Sequence, residues 1–151
     1  MHNQFLGKSV VASLFAGLML TLSAAPAPAR TVAGIAGHVT LGTDPSCAGE
    51  NYGAMTNVCS GRSVWVVPLP IDAGGSYSGR IRVTVPPGQR IQCNVYGLNE
   101  DVTSVWAPPW TYNTVDGTSS ISPGTTFVPA WGHLMSACYM DSNTRVNNVV
   151  Y

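Results

Sequence analysis

From residue 63 onward the apolar positions recur every second residue, and no segment of this part carries helical spacing over three turns. Arg80-Ile81-Arg82-Val83-Thr84-Val85 alternates without exception, which predicts a strand with Ile81, Val83 and Val85 on a buried face and both arginines on the wet one. Ile91, Cys93 and Val95 repeat the alternation against Gln92, Asn94 and Tyr96. Pro86-Pro87-Gly88-Gln89 between the two runs reads as a turn, so the pair is expected to form a hairpin or to be neighbouring strands. Ser63–Leu69 is a more continuous apolar run containing Pro68 and followed by Pro70. Proline has no ladder donor, so this strand is expected at an edge or ending there, with Trp65 in the core.

Further strands are predicted over 102–106, 125–128, 134–140 and 146–151. Asp116-Gly117, Ser122-Pro123-Gly124, Trp131-Gly132 and Asp141-Ser142-Asn143 separate them as turns. Residues 31–41 form a weaker first strand interrupted by glycine, and 42–61 shows no periodicity and reads as a loop. About seven short antiparallel strands at this spacing predict an all-β chain folded as a single small sandwich.

Ahead of this domain the pattern changes. A polar stretch ending at Lys8, an apolar run from Ser9 to Ala25 and the small residues Ala27-Pro28-Ala29 have the order of a cleaved secretory signal. The expected organisation is a signal peptide over 1–29 and one exported domain over 30–151, secreted or periplasmic, with no membrane span after cleavage. The first cysteine comes long after the apolar run, so no lipid anchor of the lipobox type is expected.

Export changes the meaning of the cysteines. Cys47, Cys59, Cys93 and Cys138 all lie in the exported part, where an even count reads as two disulfides. Three pairings exist. The favoured one joins Cys47 to Cys59 across a Gly/Asn-rich loop and Cys93 to Cys138 between two strand-like segments. No Cys-x-x-Cys occurs, and the two histidines of this part, His38 and His133, are not at ligand spacing, so no metal and no cofactor are expected. The domain carries six arginines, seven acids and no lysine. Its arginines are scattered along the chain, which argues against nucleic acid as a partner.

At Val66-Val67-Pro68-Leu69-Pro70-Ile71-Asp72 the chain resembles a loose group of small exported bacterial proteins of unknown function. The resemblance extends to Cys47, Gln92-Cys93 and Cys138 and covers most of the domain. It implies an exported, cysteine-containing β-sandwich-like domain and no activity. Val67 or Pro68 stands where that group has a cysteine, so its disulfide pairing does not transfer.

The strongest functional signal is Trp106-Ala107-Pro108-Pro109-Trp110-Thr111-Tyr112. Aromatic rings on a proline-stiffened segment offer flat apolar faces at low ordering cost, which suits stacking on sugar rings or docking against a protein. Trp106, Trp110 and Tyr112 are therefore the candidate ligand-binding residues, against the plainer reading that they plug the open end of the sandwich. Trp131-Gly132-His133 is a smaller candidate at a turn. Arg80 and Arg82 have the chemistry to meet an acidic glycan, although two cations on an exposed strand face are ordinarily just solvated.

Catalytic constellations are weaker. His38 or His133 can be written with a serine and Asp101, Asp116 or Asp141, yet no Gly-x-Ser-x-Gly element supports a triad. Glu50 and Glu100 supply no paired-carboxylate signature. The loops Asn99-Glu100-Asp101 and Asp116-Gly117 do not match a spaced acidic calcium loop. The expectation is a non-catalytic module with a glycan or cell-surface partner. A structural or protein-interaction subunit using a sheet edge near Pro68 and Pro70, or near 146–151, comes second, and a small secreted hydrolase third.

Overall fold

A computed structural model describes residues 29–40 and 44–151. The expected signal segment lies outside the described residues apart from Ala29. Twelve strands are described: β1 Thr31–Ala33, β2 His38–Val39, β3 Ala48–Asn51, β4 Ala54–Asn57, β5 Ser63–Leu69, β6 Gly75–Val85, β7 Ile91–Leu98, β8 Val105–Trp106, β9 Thr111–Asn113, β10 Gly117–Val128, β11 His133–Met140 and β12 Arg145–Val150. They form two sheets. The first runs β10-β6-β12-β4-β3 with β1 also on β12, and the second runs β2-β5-β11-β7-β8 with β9 also on β7. Every recorded strand pair is antiparallel. Among the described residues no helix is long and apolar enough to cross a membrane.

The core is the set of inward positions that the alternation marks. Ile81, Val83 and Val85 of β6 and Ile121, Val128, Val146 and Val149 of the same sheet face Trp65, Val67, Leu69, Ile91, Cys93, Val95, Leu134 and Met140 of the other. Trp65 is fully buried and donates its indole N–H to the Gly34 carbonyl at 2.9 Å. This contact explains the glycines of the first segment. A Cβ on Gly37 would lie 2.1 Å from Trp65 Nε1, and one on Gly34 would lie 2.0 Å from the Val146 carbonyl oxygen. The chain therefore crosses between the sheets there, and β1 and β2 belong to different sheets.

Both favoured disulfides are present, Cys47–Cys59 and Cys93–Cys138, with Cα atoms 5.0 Å and 4.1 Å apart. Cys93 and Cys138 stand directly opposite one another in the β7–β11 ladder. The short Cα separation fits a non-hydrogen-bonded pair, the one antiparallel position where neighbouring side chains come closest.

Four expectations are corrected. The β6–Pro86-Pro87-Gly88-Gln89–β7 unit is not a hairpin: Gln89 N–H closes a turn on the Pro86 carbonyl, but β6 and β7 enter different sheets. Their apolar faces meet across the core instead of their edges pairing, and a Cβ on Gly79 would lie 2.7 Å from Val95 Cγ2. Alternation reports which face is buried and says nothing of which edge is paired. Second, 42–61 contains the β3–β4 hairpin, whose two-residue loop Tyr52-Gly53 has φ of 49° and 80°, as a type I′ turn requires. Third, Ser122-Pro123-Gly124 does not end a strand. The β10–β6 register shifts between Ile121 and Gly124 and then resumes, a bulge tolerated because β10 is an edge. Last, β12 is an interior strand held by β6 on one side and by β4 and β1 on the other, so 146–151 presents no open edge. Twelve strands stand where about seven were expected because the short strands β1 to β4 and β9, of two to four residues each, add to the longer ones.

β5 matches its expectation more closely. It is the penultimate strand, and β2 pairs only with Trp65 and Val66, so Pro68 lies beyond the covered stretch.

Candidate functional site

The second sheet carries apolar and aromatic residues on its outer face as well as its inner one. Across it, the strand registers align Val64, Tyr139, Gln92 and Tyr112 in one row, from β5 through β11 and β7 to β9. The adjacent rows align Val66, Ala137 and Asn94, then Pro68, Met135 and Tyr96. With strands about 4.8 Å apart, the first row is about 14 Å wide.

The segment between β8 and β9 lies over this face. Asn94 is buried and donates from Nδ2 to the Pro108 carbonyl at 2.7 Å, and its Oδ1 accepts from the Val95 backbone N–H at 2.8 Å. That side chain holds the proline segment down. Trp110 is consequently half-buried and rests tilted against Tyr139 with ring centroids 4.9 Å apart. Val64, Val66, Asn94, Tyr96, Trp110 and Tyr139 are among the walls of a depression of about 280 Å³. Burial, with Tyr139 beside it, holds the Tyr96 hydroxyl above the ordinary tyrosine range, so it stays protonated and able to donate.

The three sequence candidates do not form one patch. Trp110 and Tyr112 are two residues apart on an extended segment, so they face the same side, and Tyr112 is 59% exposed beside Gln92. Trp106 pairs instead with Gly97, at the far end of β7 and about 17 Å along it. A Cβ on Gly97 would lie 2.0 Å from the Phe127 carbonyl oxygen, so that position faces β10. Trp106 follows it, meeting the Phe127 ring edge-on at 5.9 Å while its carbonyl accepts from Thr126 Oγ1. Trp106, 37% exposed, belongs to the seam between β7 and β10, whereas Trp110 and Tyr112 belong to the outer face.

Sequence reasoning missed Tyr139 and Tyr96 as members of this face. Both sit at outward positions of well-patterned strands, and the signal was there: large aromatics on the side of a strand expected to be wet. Trp131, 83% exposed at φ 65°, stands away on the β10–β11 turn.

The catalytic candidates are dispersed. His38 lies on β2 and His133 begins β11, with β5 between those strands, and neither imidazole has a serine or carboxylate hydrogen-bonded to it among the described residues. In the acidic loop, Asn99 Oδ1 accepts from the backbone N–H groups of Thr103 and Ser104, both at 2.8 Å, so this oxygen closes the loop on itself. No group of three or more His, Cys, Asp or Glu side chains suited to a metal ion occurs among the described residues.

No family model and no curated protein matches this chain. Among solved structures it is similar to the Podospora anserina GH26-CBM35 β-(1,4)-mannanase, with a TM-score of 0.52 at 13% identity, over 81% of this chain and 27% of that one. The C-terminal CBM6 of LamC, a marine laminarinase from Zobellia galactanivorans, gives 0.48 at 12% identity over 82% and 98% of the two chains. The carbohydrate-binding module CBM6cm-2 of Cellvibrio mixtus lichenase 5A, in complex with cellotriose, gives 0.44 at 12% over 80% and 94%. At such identities the likeness to the mannanase concerns the β-sandwich fold alone.

Proposed function

We propose that this protein is an exported, non-catalytic sandwich that binds glycan or cell-surface material through the outer face of its second sheet, with Trp110, Tyr112 and Tyr139 as the contact platform. The observation that carries this reading is the tilted contact of Trp110 with Tyr139, which stands in one row with exposed Tyr112. The Trp110 ring, held at 49° against Tyr139, is a prepositioned apolar face on which a pyranose can stack, and Gln92 and the Tyr96 hydroxyl stand beside it to bond sugar hydroxyls. Trp106 supplies a second aromatic contact at the β7–β10 seam. A sandwich of this kind spans 27% of the mannanase whose name joins GH26 to CBM35, a proportion suited to an appended binding module. Two disulfides agree with a protein kept outside the cytoplasm, secreted or periplasmic, after loss of 1–29.

The test is depletion of purified protein by insoluble β-mannan, cellulose and cell-wall preparations, beside a Trp110→Ala, Tyr112→Ala variant shown to be folded. Binding to one of these, lost at least tenfold in the variant, is the expected result. Undiminished binding by the variant, or none to any surface, overturns it.

A second reading, a protein-interaction subunit, rests on β5. Its pairing with β2 stops at Val66, which leaves a short edge near Pro68 and Pro70 for an added strand.

A further inference from the structure

The six arginines of the described residues divide by environment. Arg30 pairs with Asp72, and Arg62 and Arg90 both pair with Asp141. Arg80, Arg82 and Arg145 have no carboxylate partner among the described residues, and all three stand on the outer face of the first sheet. Outward alternation places Arg80 and Arg82 there on β6, each opposite a β12 residue, Val150 and Asn148 respectively. Arg145 on β12 lies opposite Thr84 and Thr56, and its Nε donates to Thr56 Oγ1 at 3.2 Å.

The rows around these cations are hydroxyls and amides. One contains Thr118, Thr84, Arg145 and Thr56, and the next contains Ser120, Arg82 and Asn148. The Thr84 and Thr118 hydroxyls share a hydrogen bond of 2.9 Å, and Asn147 donates to Thr84 Oγ1 at 3.0 Å. Arg80, Arg82, Ser120, Asn148 and Val150 line a depression of about 210 Å³. Successive outward positions on a strand are about 7 Å apart, so the three guanidinium stems run diagonally over about 15 Å of sheet.

We propose that this face is a second binding site, for an extended anionic polysaccharide whose carboxylate or sulfate groups meet Arg80, Arg82 and Arg145 while Ser120, Asn148 and the threonines bond its hydroxyls. Unpaired guanidinium groups offer planar, two-pronged donation to such anions, and close like charges with no counter-ion of their own raise the local potential. These rows contain no aromatic ring on which a base would stack, which favours a sugar polymer over a single-stranded nucleic acid. The site lies on the opposite sheet from Trp110 and does not depend on the aromatic reading.

The experiment is affinity electrophoresis and titration with polygalacturonate, dextran sulfate, unmodified dextran and duplex DNA at low and moderate salt. Wild type is run beside Arg80→Gln, Arg82→Gln and beside Trp110→Ala. Arg90→Gln serves as a control for loss of a cation outside this face, because Asp141 keeps Arg62. Arg80 and Arg82 make no ion pair among the described residues and both are exposed, so an unchanged thermal midpoint is expected for the double variant. Binding to polygalacturonate or dextran sulfate that weakens with salt, falls at least tenfold in the double variant and is kept by Trp110→Ala and Arg90→Gln supports the site, and the better of the two polymers identifies the anion. No binding to either at low salt, equal loss in Arg90→Gln, or tighter binding to duplex DNA overturns it. Neutral-glycan binding lost only in Trp110→Ala would leave the aromatic face standing on its own.

Discussion

Trp110 leans on Tyr139 with ring centroids 4.9 Å apart, so a residue of an irregular crossing segment is positioned by one in the middle of a sheet. Removing the support should therefore act at a distance in sequence. Tyr139→Ala is expected to weaken glycan binding by about fivefold through loss of Trp110 placement, a ring-contact contribution of about 1 kcal/mol, while Tyr139→Phe keeps most of it. Titration with the polysaccharide found in the depletion assay reads the difference, and acrylamide quenching should report a more accessible Trp110 in Tyr139→Ala only.

Breaking the disulfides should have unequal effects. Cys93–Cys138 closes a sequence separation of 45 residues and Cys47–Cys59 one of 12. Loop-closure entropy gives about 4 kcal/mol for the first and about 3 kcal/mol for the second. Cys93 and Cys138 are also fully buried, so alanine leaves space in the core. Urea unfolding of the two double-alanine variants is expected to show the Cys93, Cys138 pair as the costlier loss.

Asn57 fastens the two sheets at one end. It is buried, and its Nδ2 donates to the Met140 carbonyl at 2.8 Å and the Gly61 carbonyl at 2.7 Å, while Oδ1 accepts from Cys59 N–H at 3.1 Å. Asn57→Ala should cost about 2–4 kcal/mol in equilibrium unfolding, because the Met140 carbonyl on β11 and the Gly61 carbonyl and Cys59 N–H of the β4–β5 connection all lose their partner. Asn57→Asp should cost at least as much at neutral pH, since a carboxylate there faces two carbonyl oxygens.

Gly97 marks a close approach of the two sheets. Alanine would set its Cβ 2.0 Å from the Phe127 carbonyl oxygen, 2.9 Å from the carbon of that carbonyl and 3.0 Å from Val128 Cγ2, and the Phe127 backbone cannot swing aside as a flexible side chain would. Gly97→Ala is expected to destabilise by about 3 kcal/mol. Gly61→Ala, where a Cβ meets nothing within 4 Å, should stay within about 0.5 kcal/mol and serves as the control in thermal unfolding.

Alkaline titration tests Tyr96. Burial raises its folded pKa above the unfolded value of about 10, so the unfolded chain gives up that proton first. The stabilisation is complete below about pH 10 and is lost as pH rises from there through the folded pKa. Tyr96→Phe should flatten the decline of unfolding free energy over that interval, and phenolate absorbance of the folded protein should show one late-titrating tyrosine fewer.

The inner faces of β6, β7 and β11 were legible because alternation is a local property: Ile81, Val83 and Val85, or Ile91, Cys93 and Val95, are separated only by the pleat. Burial of Trp65 and both disulfides followed from the same reading together with the expectation of an oxidising compartment. The β3–β4 hairpin was not legible, because Tyr52-Gly53 closes a type I′ turn without the usual Asn-Gly pair and its strands are four residues each. The aromatic site was half legible. Trp110 and Tyr112 announced themselves by spacing, but Tyr139 and Tyr96 come to them only through strand pairing.

Residues near one another in the chain thus determined the sandwich class, the inward set and the local Cys47–Cys59 pair, since period, turn chemistry and loop length act over a few residues. Which edges pair was decided by the tertiary structure alone. The turn after Val85 sends β7 to the other sheet, Gly97 lets β7 close on β10, and β12 inserts between β6 and β4. Only that pairing divides Trp106 from Trp110 and Tyr112, and brings Arg145 beside Arg80 and Arg82. Two faces of opposite chemistry arise because a sheet sorts side chains by parity along each strand but gathers them by register across strands far apart in sequence.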